Sequence, residues 1–314
     1  MASSVETLQP AQRPESSNAP PTVLGRRPEL LGALACPACR GALRHETERL
    51  TCQSCGAAYG FIEGVPRLLT ADRAGELDAR IANFKNPHER VRQNRFARAL
   101  IPPNPICDPG ASARAARVRE LLSKGLVLNL GSKSSEWGSH VVNLDLMLPD
   151  EHRAGSPRID VLADIERLPF PDAKVDGIVC TNVLEHVGDA QACIAEISRV
   201  MRPGGFVFIS TPFMFPTHPD PLDRRRWTLE GLCAAFPGFE IKESGVCGGP
   251  FSAYVSIVPT LIGSMFSSFF LYNAVRFALG WLLWPVKFLD CIAARSTHAD
   301  RTAAGVYIIA RRQG

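Results

Sequence analysis

The chain has 314 residues, enough for one sizeable α/β domain and a small appended module. Its 46% hydrophobic and 21% charged residues are those of an ordinary globular protein, which excludes a low-complexity or fibrous chain. A net charge of +4 is too small to argue for nucleic acid, and none is expected as a partner.

In chain order, residues 1–27 are rich in Ser, Pro, Ala and Gln, poor in apolar side chains, and are expected to form a disordered tail. With no basic-then-apolar leader at this end, a reducing cytoplasmic compartment is expected. A compact cysteine module occupies 28–70. It carries Cys36-Pro-Ala-Cys39, twelve residues, then Cys52-Gln-Ser-Cys55. Four thiolates at about 2.3 Å satisfy tetrahedral zinc and leave no position for substrate, so the metal's role would be structural. Free thiols or a redox CxxC are the alternatives. Free thiols do not explain two copies of one spacing, and a redox pair usually opens a helix inside a βαβ unit, whereas Gly, Pro and polar residues surround both pairs. The cluster resembles the zinc ribbons that precede some methyltransferase domains, including the trailing "YGFIEGVPRLL" (59–69).

Residues 71–114 read as a helical linker interrupted by "IPPNPICDPG" (101–110), which cannot be regular. From about 115, apolar runs alternate with helical patterns. Strands are expected at 126–130, 141–146, 159–163, 175–180, 205–210, 239–243 and 305–311. "DAQACIAEISRVMRPGG" has apolar residues at helical spacing and a Pro-Gly-Gly stop. Such alternation predicts an α/β, Rossmann-like, mostly parallel doubly wound sheet.

Ligands bind at the carboxyl edge of such sheets. After the first strand, Gly131 lets the backbone turn and approach a ligand with no Cβ in the way. After the second, Asp145 can accept both hydroxyls of a ribose, and after the third, Asp164 can accept from an adenine amine while Ile165 packs on the ring. Each has a plainer reading, Asp145 as a strand end and Asp164 as a turn cap. Three at successive strand ends argue for a nucleoside-bearing ligand.

The segment "ADIERLPFPDAKVDGIVCTNVLEHVGDAQACIAEISRVMRPGGFVFISTP" (163–212) resembles the core of class I S-adenosylmethionine-dependent methyltransferases of type 11. The likeness rests on "LPFPD", "VDGIV", "NVLEHV", "RVMRPGG" and "ISTP", in order and spacing, and covers about 115–245 and 304–312. It implies a seven-stranded sheet whose last strand is antiparallel. It also implies S-adenosyl-L-methionine as methyl donor, held by Asn129, Gly131, Ser132, Asp145, Asp164, Ile165 and Asn182. The chain departs from the family pattern at Asn129, where members commonly carry an acid, and at Lys133 and Ser135, where they carry glycines. A non-catalytic scaffold that binds partners through ribbon and helices is the alternative. No G-x-G-x-x-G is present for a dinucleotide.

Methyl transfer from a sulfonium needs alignment, and a base only for some acceptors. His186 in "LEHV" and His218 and Asp220 in "PFMFPTHPDPLDRRRWT" are the candidates, with a positioning role the plainer reading for His186. Arg224, Arg225, Arg226 and Trp227 offer either a face for an anionic acceptor or a solvated charge run.

From Ser244 to Val275 there is no charged residue over 32 positions, and a second apolar run follows Arg276. The apolar insertion (247–303) exceeds the ~20 residues that cross a bilayer. A single crossing would separate strands 239–243 and 305–311, so a two-helix hairpin, interfacial helices or a soluble lid remain. Arg276, Lys287, Arg295, Tyr272, Trp281 and Trp284 suit a headgroup boundary. The expected acceptor is a small molecule, lipid or lipid-linked glycan, with the protein cytoplasmic and peripheral to the inner face of the membrane.

Overall fold

The computed structural model describes residues 23–83, 101–132, 137–148, 159–218 and 222–314. Lys133, Ser135, Asp220 and the first 22 residues of the expected tail lie outside the described residues. Residues 23–27, which composition places in that tail, carry a helical turn, α1 (Val23–Arg26). Arg27 then bonds Asp160 Oδ2 at 3.1 Å and the carbonyls of Val141 and His140.

The cysteine module folds as β1 (Leu43–Glu46), β2 (Arg49–Cys52) and β3 (Ala58–Tyr59), an antiparallel sheet of their own. Next comes a hairpin of β4 (Phe61–Ile62) and β5 (Val65–Leu68). Its two-residue turn, Glu63-Gly64, has φ of 49° and 77°. That pair of left-handed residues matches the right-handed twist of the flanking strands.

Among the described residues, α2 (Ala71–Asn83) and α3 (Ala111–Leu121) lead to the sheet strands, and residues 84–100 of the expected linker lie outside them. These are β6 (Val127–Leu130), β7 (Val142–Asp145), β8 (Val161–Ala163), β9 (Val175–Thr181), β10 (Met201–Pro212), β11 (Phe239–Val246) and β12 (Gly305–Arg312). In space they run β8-β7-β6-β9-β10-β12-β11, with β12 antiparallel to both neighbours. The alternating pattern and the antiparallel last strand are therefore present. The expected seven strands are corrected to nine among the described residues, because β5 pairs parallel with edge strand β8 and brings β4 with it. The open edge of β8 offers unpaired amides and carbonyls, and a short strand from the module satisfies them.

The central strands are buried on both faces, as near-continuous apolar runs in a parallel sheet should be. The core does not stop at the module boundary. Leu30, Leu50, Tyr59 and Leu68 belong to one apolar cluster with Leu128, Leu144 and Ile178. Helix α4 (Ala190–Val200) buries Cys193, Ile194 and Ile197, and Asp189 caps it by accepting from Gln191 and Ala192 amides; α5 (Leu229–Ala234) follows β10. The "LPFPD" turn is held from behind: Arg199 donates to the carbonyls of Leu168 and Phe170, and Phe170 is fully buried.

Candidate functional site

The carboxyl ends of β6, β7, β8 and β9 lie along one edge of the sheet. Gly131 has φ of 62°, and a Cβ there would stand 2.5 Å from Val183 Cγ2. Glycine is thus needed both for the left-handed turn and for the close approach to the neighbouring loop. Asn182, at the end of β9, also takes a positive φ, 53°, and its amide bonds the Ser210 carbonyl at 2.8 Å. A non-glycine residue held there points to a strained loop stabilised by its surroundings.

Asn129 is fully buried and donates through Nδ2 to Asn143 Oδ1 at 3.0 Å. Ser132 is buried as well, with its amide on the Leu144 carbonyl at 3.0 Å. Asp145 ends β7, and its Oδ1 accepts from the Leu146 amide at 2.7 Å, which sets the following turn. Asp164 accepts the Glu166 amide at 2.9 Å and Arg73 Nε at 2.5 Å, with Ile165 buried beside it. Arg73 also lies 3.1 Å from Glu166 and 2.9 Å from Glu76. The acidic partners hold its guanidinium above the ordinary arginine value, Asp164 first. Sequence reading missed Arg73, because its target lies 91 residues away.

On the other side of the edge, His186 and His218 stack edge to face with ring centroids 5.2 Å apart. His186 Nδ1 bonds the Leu222 carbonyl. His218 Nδ1 faces Asp223 Oδ2 at 3.2 Å, and the His218 amide donates to the same oxygen at 2.9 Å. Asp223 is clamped in turn by Arg226, which holds its carboxyl at about 2, with the His218 amide adding to the effect. Between the two rings sits Glu185, fully buried. Its Oε1 lies 3.7 Å from each Nε2. That carboxylate is the main cause lifting His218 above the ordinary histidine value; burial opposes it and Asp223 adds to it. Glu185 escaped the sequence reading although it stands inside the quoted "LEHV".

Within the arginine run Arg224 is exposed, whereas the side chains of Arg225 and Arg226 are engaged. Arg225 donates to the carbonyls of Val187 and Gly188, both at 2.7 Å. Arg226 donates to Phe215 and Pro216 as well as Asp223. The Arg224 amide bonds the Glu185 carbonyl at 2.8 Å. These bonds pin the loop after β10 to the "LEHVG" segment.

In the cysteine module the four sulfurs lie within 4.8 Å of one another, with Cys36–Cys55 at 3.8 Å and Cys39–Cys52 at 3.4 Å. Four thiolates on one tetrahedral zinc stand about 3.8 Å apart, so the donor set fits the ion. Each pair is followed by a left-handed residue, Arg40 at φ 64° and Gly56 at 74°. Those turns close two matching knuckles through Arg40 N to Cys36 O and Gly56 N to Cys52 O.

The insertion is a helical hairpin of α6 (Pro250–Gly263) and α7 (Phe269–Leu283), continued by a 3₁₀ turn (Trp284–Leu289) into α8 (Asp290–Ala293). Its base is fixed by Asp290. This fully buried carboxylate accepts from the Phe251 amide at 2.9 Å and from the Ser252 amide and hydroxyl at 2.7 Å. It supplies from far along the chain the cap that Gly249 cannot. Lys287 reaches the Asn104 carbonyl at 2.5 Å. The distal part is bare: Phe269 is 81% exposed, Met265 79% and Phe270 76%. The stretch Phe269–Ala293 has the length and composition to cross a bilayer. However, β11 and β12 lie side by side on either end of the hairpin, which excludes a single crossing.

An open, mostly parallel sheet with glycine and carboxylates at the ends of adjacent strands defines a doubly wound α/β protein, a class that binds its ligands at that edge. Residues 126–209 match the family model described as methyltransferase domain. Among curated proteins, a "Probable S-adenosylmethionine-dependent methyltransferase" of Mycolicibacterium smegmatis is 44% identical over 101 residues, covering 29% of this chain and 39% of that protein. A counterpart in Mycobacterium tuberculosis strain H37Rv is 41% identical over 103 residues, 31% of this chain and 38% of that protein. The chain thus spans about two fifths of the length of these relatives. Among solved structures, a Burkholderia thailandensis 1,6-didemethyltoxoflavin-N1-methyltransferase with bound S-adenosylhomocysteine aligns at TM-score 0.41 and 15% identity, covering 87% of this chain and 99% of that one.

Proposed function

We propose that the protein is an S-adenosylmethionine-dependent methyltransferase acting on a small-molecule or lipid-type acceptor. The observation that carries this reading is the coincidence of the 126–209 match with a sheet whose ligand edge holds Gly131, Asp145, Asp164 and Asn182. The bound donor supplies a sulfonium methyl group for in-line displacement. Asp145 holds the ribose hydroxyls, Gly131 lets the backbone close on the methionine, and Asn129 and Ser132 shape that end of the cleft. Asp164 and Ile165 line the adenine side, with Arg73 fixing the carboxylate. His186 and His218 face the acceptor.

In this reading residues 28–70 form a zinc ribbon with a structural ion on Cys36, Cys39, Cys52 and Cys55, joined by a helical linker (71–114) to the catalytic domain. The bare distal half of the hairpin rests on the cytoplasmic face of a membrane and brings the site to lipid-linked acceptors. The exposed Phe269, Phe270 and Met265 support this, since an uncovered patch of that kind marks an interaction surface. Calorimetry with S-adenosylmethionine and S-adenosylhomocysteine tests the first claim: saturable binding is expected, and silence from both at millimolar ligand sinks it. A non-catalytic scaffold is the second reading, favoured by Asn129, whose amide is committed to Asn143.

A further inference from the structure

We propose that Glu185, His186 and His218 form a second metal site, for a divalent transition ion of the zinc type, distinct from the four-cysteine cluster. The starting observation is Glu185. It is fully buried, and neither carboxylate oxygen has a hydrogen-bond partner among the described residues. A carboxylate without partners in such a place is costly, and its persistence calls for a compensating charge.

The surrounding geometry supplies one. Both imidazole Nε2 atoms stand 3.7 Å from the same Glu185 oxygen. That is too long for an N–H···O bond. It is close to the ~3.4 Å that separates two donor atoms bound to one tetrahedral ion at about 2.0–2.2 Å. The ligand atoms of all three residues fall within 4.8 Å of one another.

The second observation is how the rings are held. His186 Nδ1 is taken by the Leu222 carbonyl, and His218 Nδ1 by Asp223 with the Pro216 carbonyl at 3.4 Å. Because these acceptors suit an Nδ1 proton, the neutral form of each ring turns its Nε2 lone pair toward Glu185. This is the arrangement metal-bound histidines adopt, the outer partner fixing tautomer and ring orientation. Asp223 is in turn anchored by Arg226, and the Glu185 backbone by the Arg224 amide. The arginine run therefore builds the outer support of this site.

Two imidazoles and one carboxylate leave at least one coordination position open, unlike four thiolates. Resting on the methyltransferase reading, that position takes an oxygen of the acceptor, and the ion favours its ionised form. Metal binding itself does not depend on that reading.

The test counts metal in the full chain. After dialysis against zinc and removal of loose ion, the parent is expected to hold one zinc more per chain than His218→Ala or a His186→Ala/His218→Ala double variant. Glu185→Gln keeps the volume of the buried side chain and is expected to weaken zinc binding at this site at least about tenfold. Cobalt substitution separates the two sites, because intense thiolate charge-transfer bands should persist in every variant while the weaker nitrogen–oxygen spectrum disappears. Circular dichroism certifies the fold of each variant. Equal zinc in the parent and in folded variants overturns the proposal, as does an unchanged cobalt spectrum in Glu185→Gln. S-adenosylmethionine calorimetry on the same samples keeps either outcome separate from the fate of the methyltransferase reading.

Discussion

The cysteine module and the apolar hairpin are attached to opposite ends of one sheet, and they are attached by different physics. The module contributes backbone: β5 extends the sheet beside β8, and Leu30, Leu50 and Leu68 enter the same apolar cluster as the central strands. The hairpin is inserted between β11 and β12 and is fixed at its base, through Asp290 on the start of α6 and Lys287 on the Asn104 carbonyl. At the distal tip Met265, Phe269 and Phe270 stay bare. An appended segment becomes part of a domain when it completes an unpaired strand edge. It stays an appendage when it is held only at its base.

The sharpest way to break this contrast is to deny the module the zinc proposed for its four cysteines. Cys52→Ser, or a strong chelator, should unfold residues 33–59 and expose β4, β5 and β8 to hydrogen exchange, because structural zinc in such small modules is worth about 10 kcal/mol or more. Protection that stays unchanged at 61–68 and 161–163 would show that the module folds without a metal. Asp290→Ala comes next. Losing three bonds to one buried carboxylate should cost about 2–4 kcal/mol, with exchange rising in α6 and not in β4–β5. If the loss spreads to the module, the two attachments are coupled and the contrast fails.

Gly131→Ala forces a Cβ into a left-handed residue 2.5 Å from Val183. A loss of about 1–3 kcal/mol is expected, together with loss of S-adenosylmethionine binding by calorimetry. Asp145→Ala should leave thermal stability nearly unchanged and weaken donor binding about 10–100-fold, the worth of hydrogen bonds to a charged group. The smallest effect on stability belongs to the tip. Phe269→Ser with Phe270→Ser should shift it by less than about 0.5 kcal/mol. The same pair should abolish sedimentation with vesicles containing anionic lipid; retained sedimentation would remove the membrane role.

Much of the ligand edge was legible in the sequence. Gly131, Asp145 and Asp164 could be placed because strand–helix alternation puts them at successive carboxyl ends, whatever the details of packing, while Asn182 came only with the family resemblance. Arg73 on Asp164 was not legible, since nothing in α2 distinguishes that arginine from its neighbours until the chain folds. Arg225 and Arg226 misled for the same reason: a charge run announces donors but not their targets, which are the distant Val187 and Gly188 carbonyls for Arg225 and Asp223 with the Phe215 and Pro216 carbonyls for Arg226.

By itself, then, the sequence determined whatever depends on spacing within a few turns of chain. It set the paired CxxC knuckles, the order of the strands, the helix stops and the uncharged length of the insertion. These follow from local propensity and periodicity, which act between neighbours. The tertiary structure decided what depends on packing between remote segments. It made β5 an edge strand of the main sheet and Asp290 the cap of a helix that starts forty residues earlier. It also turned one glutamate of "LEHV" toward two imidazoles around a common point. Such meetings are chosen by how the strand edges and buried faces find partners, and no local pattern carries that information.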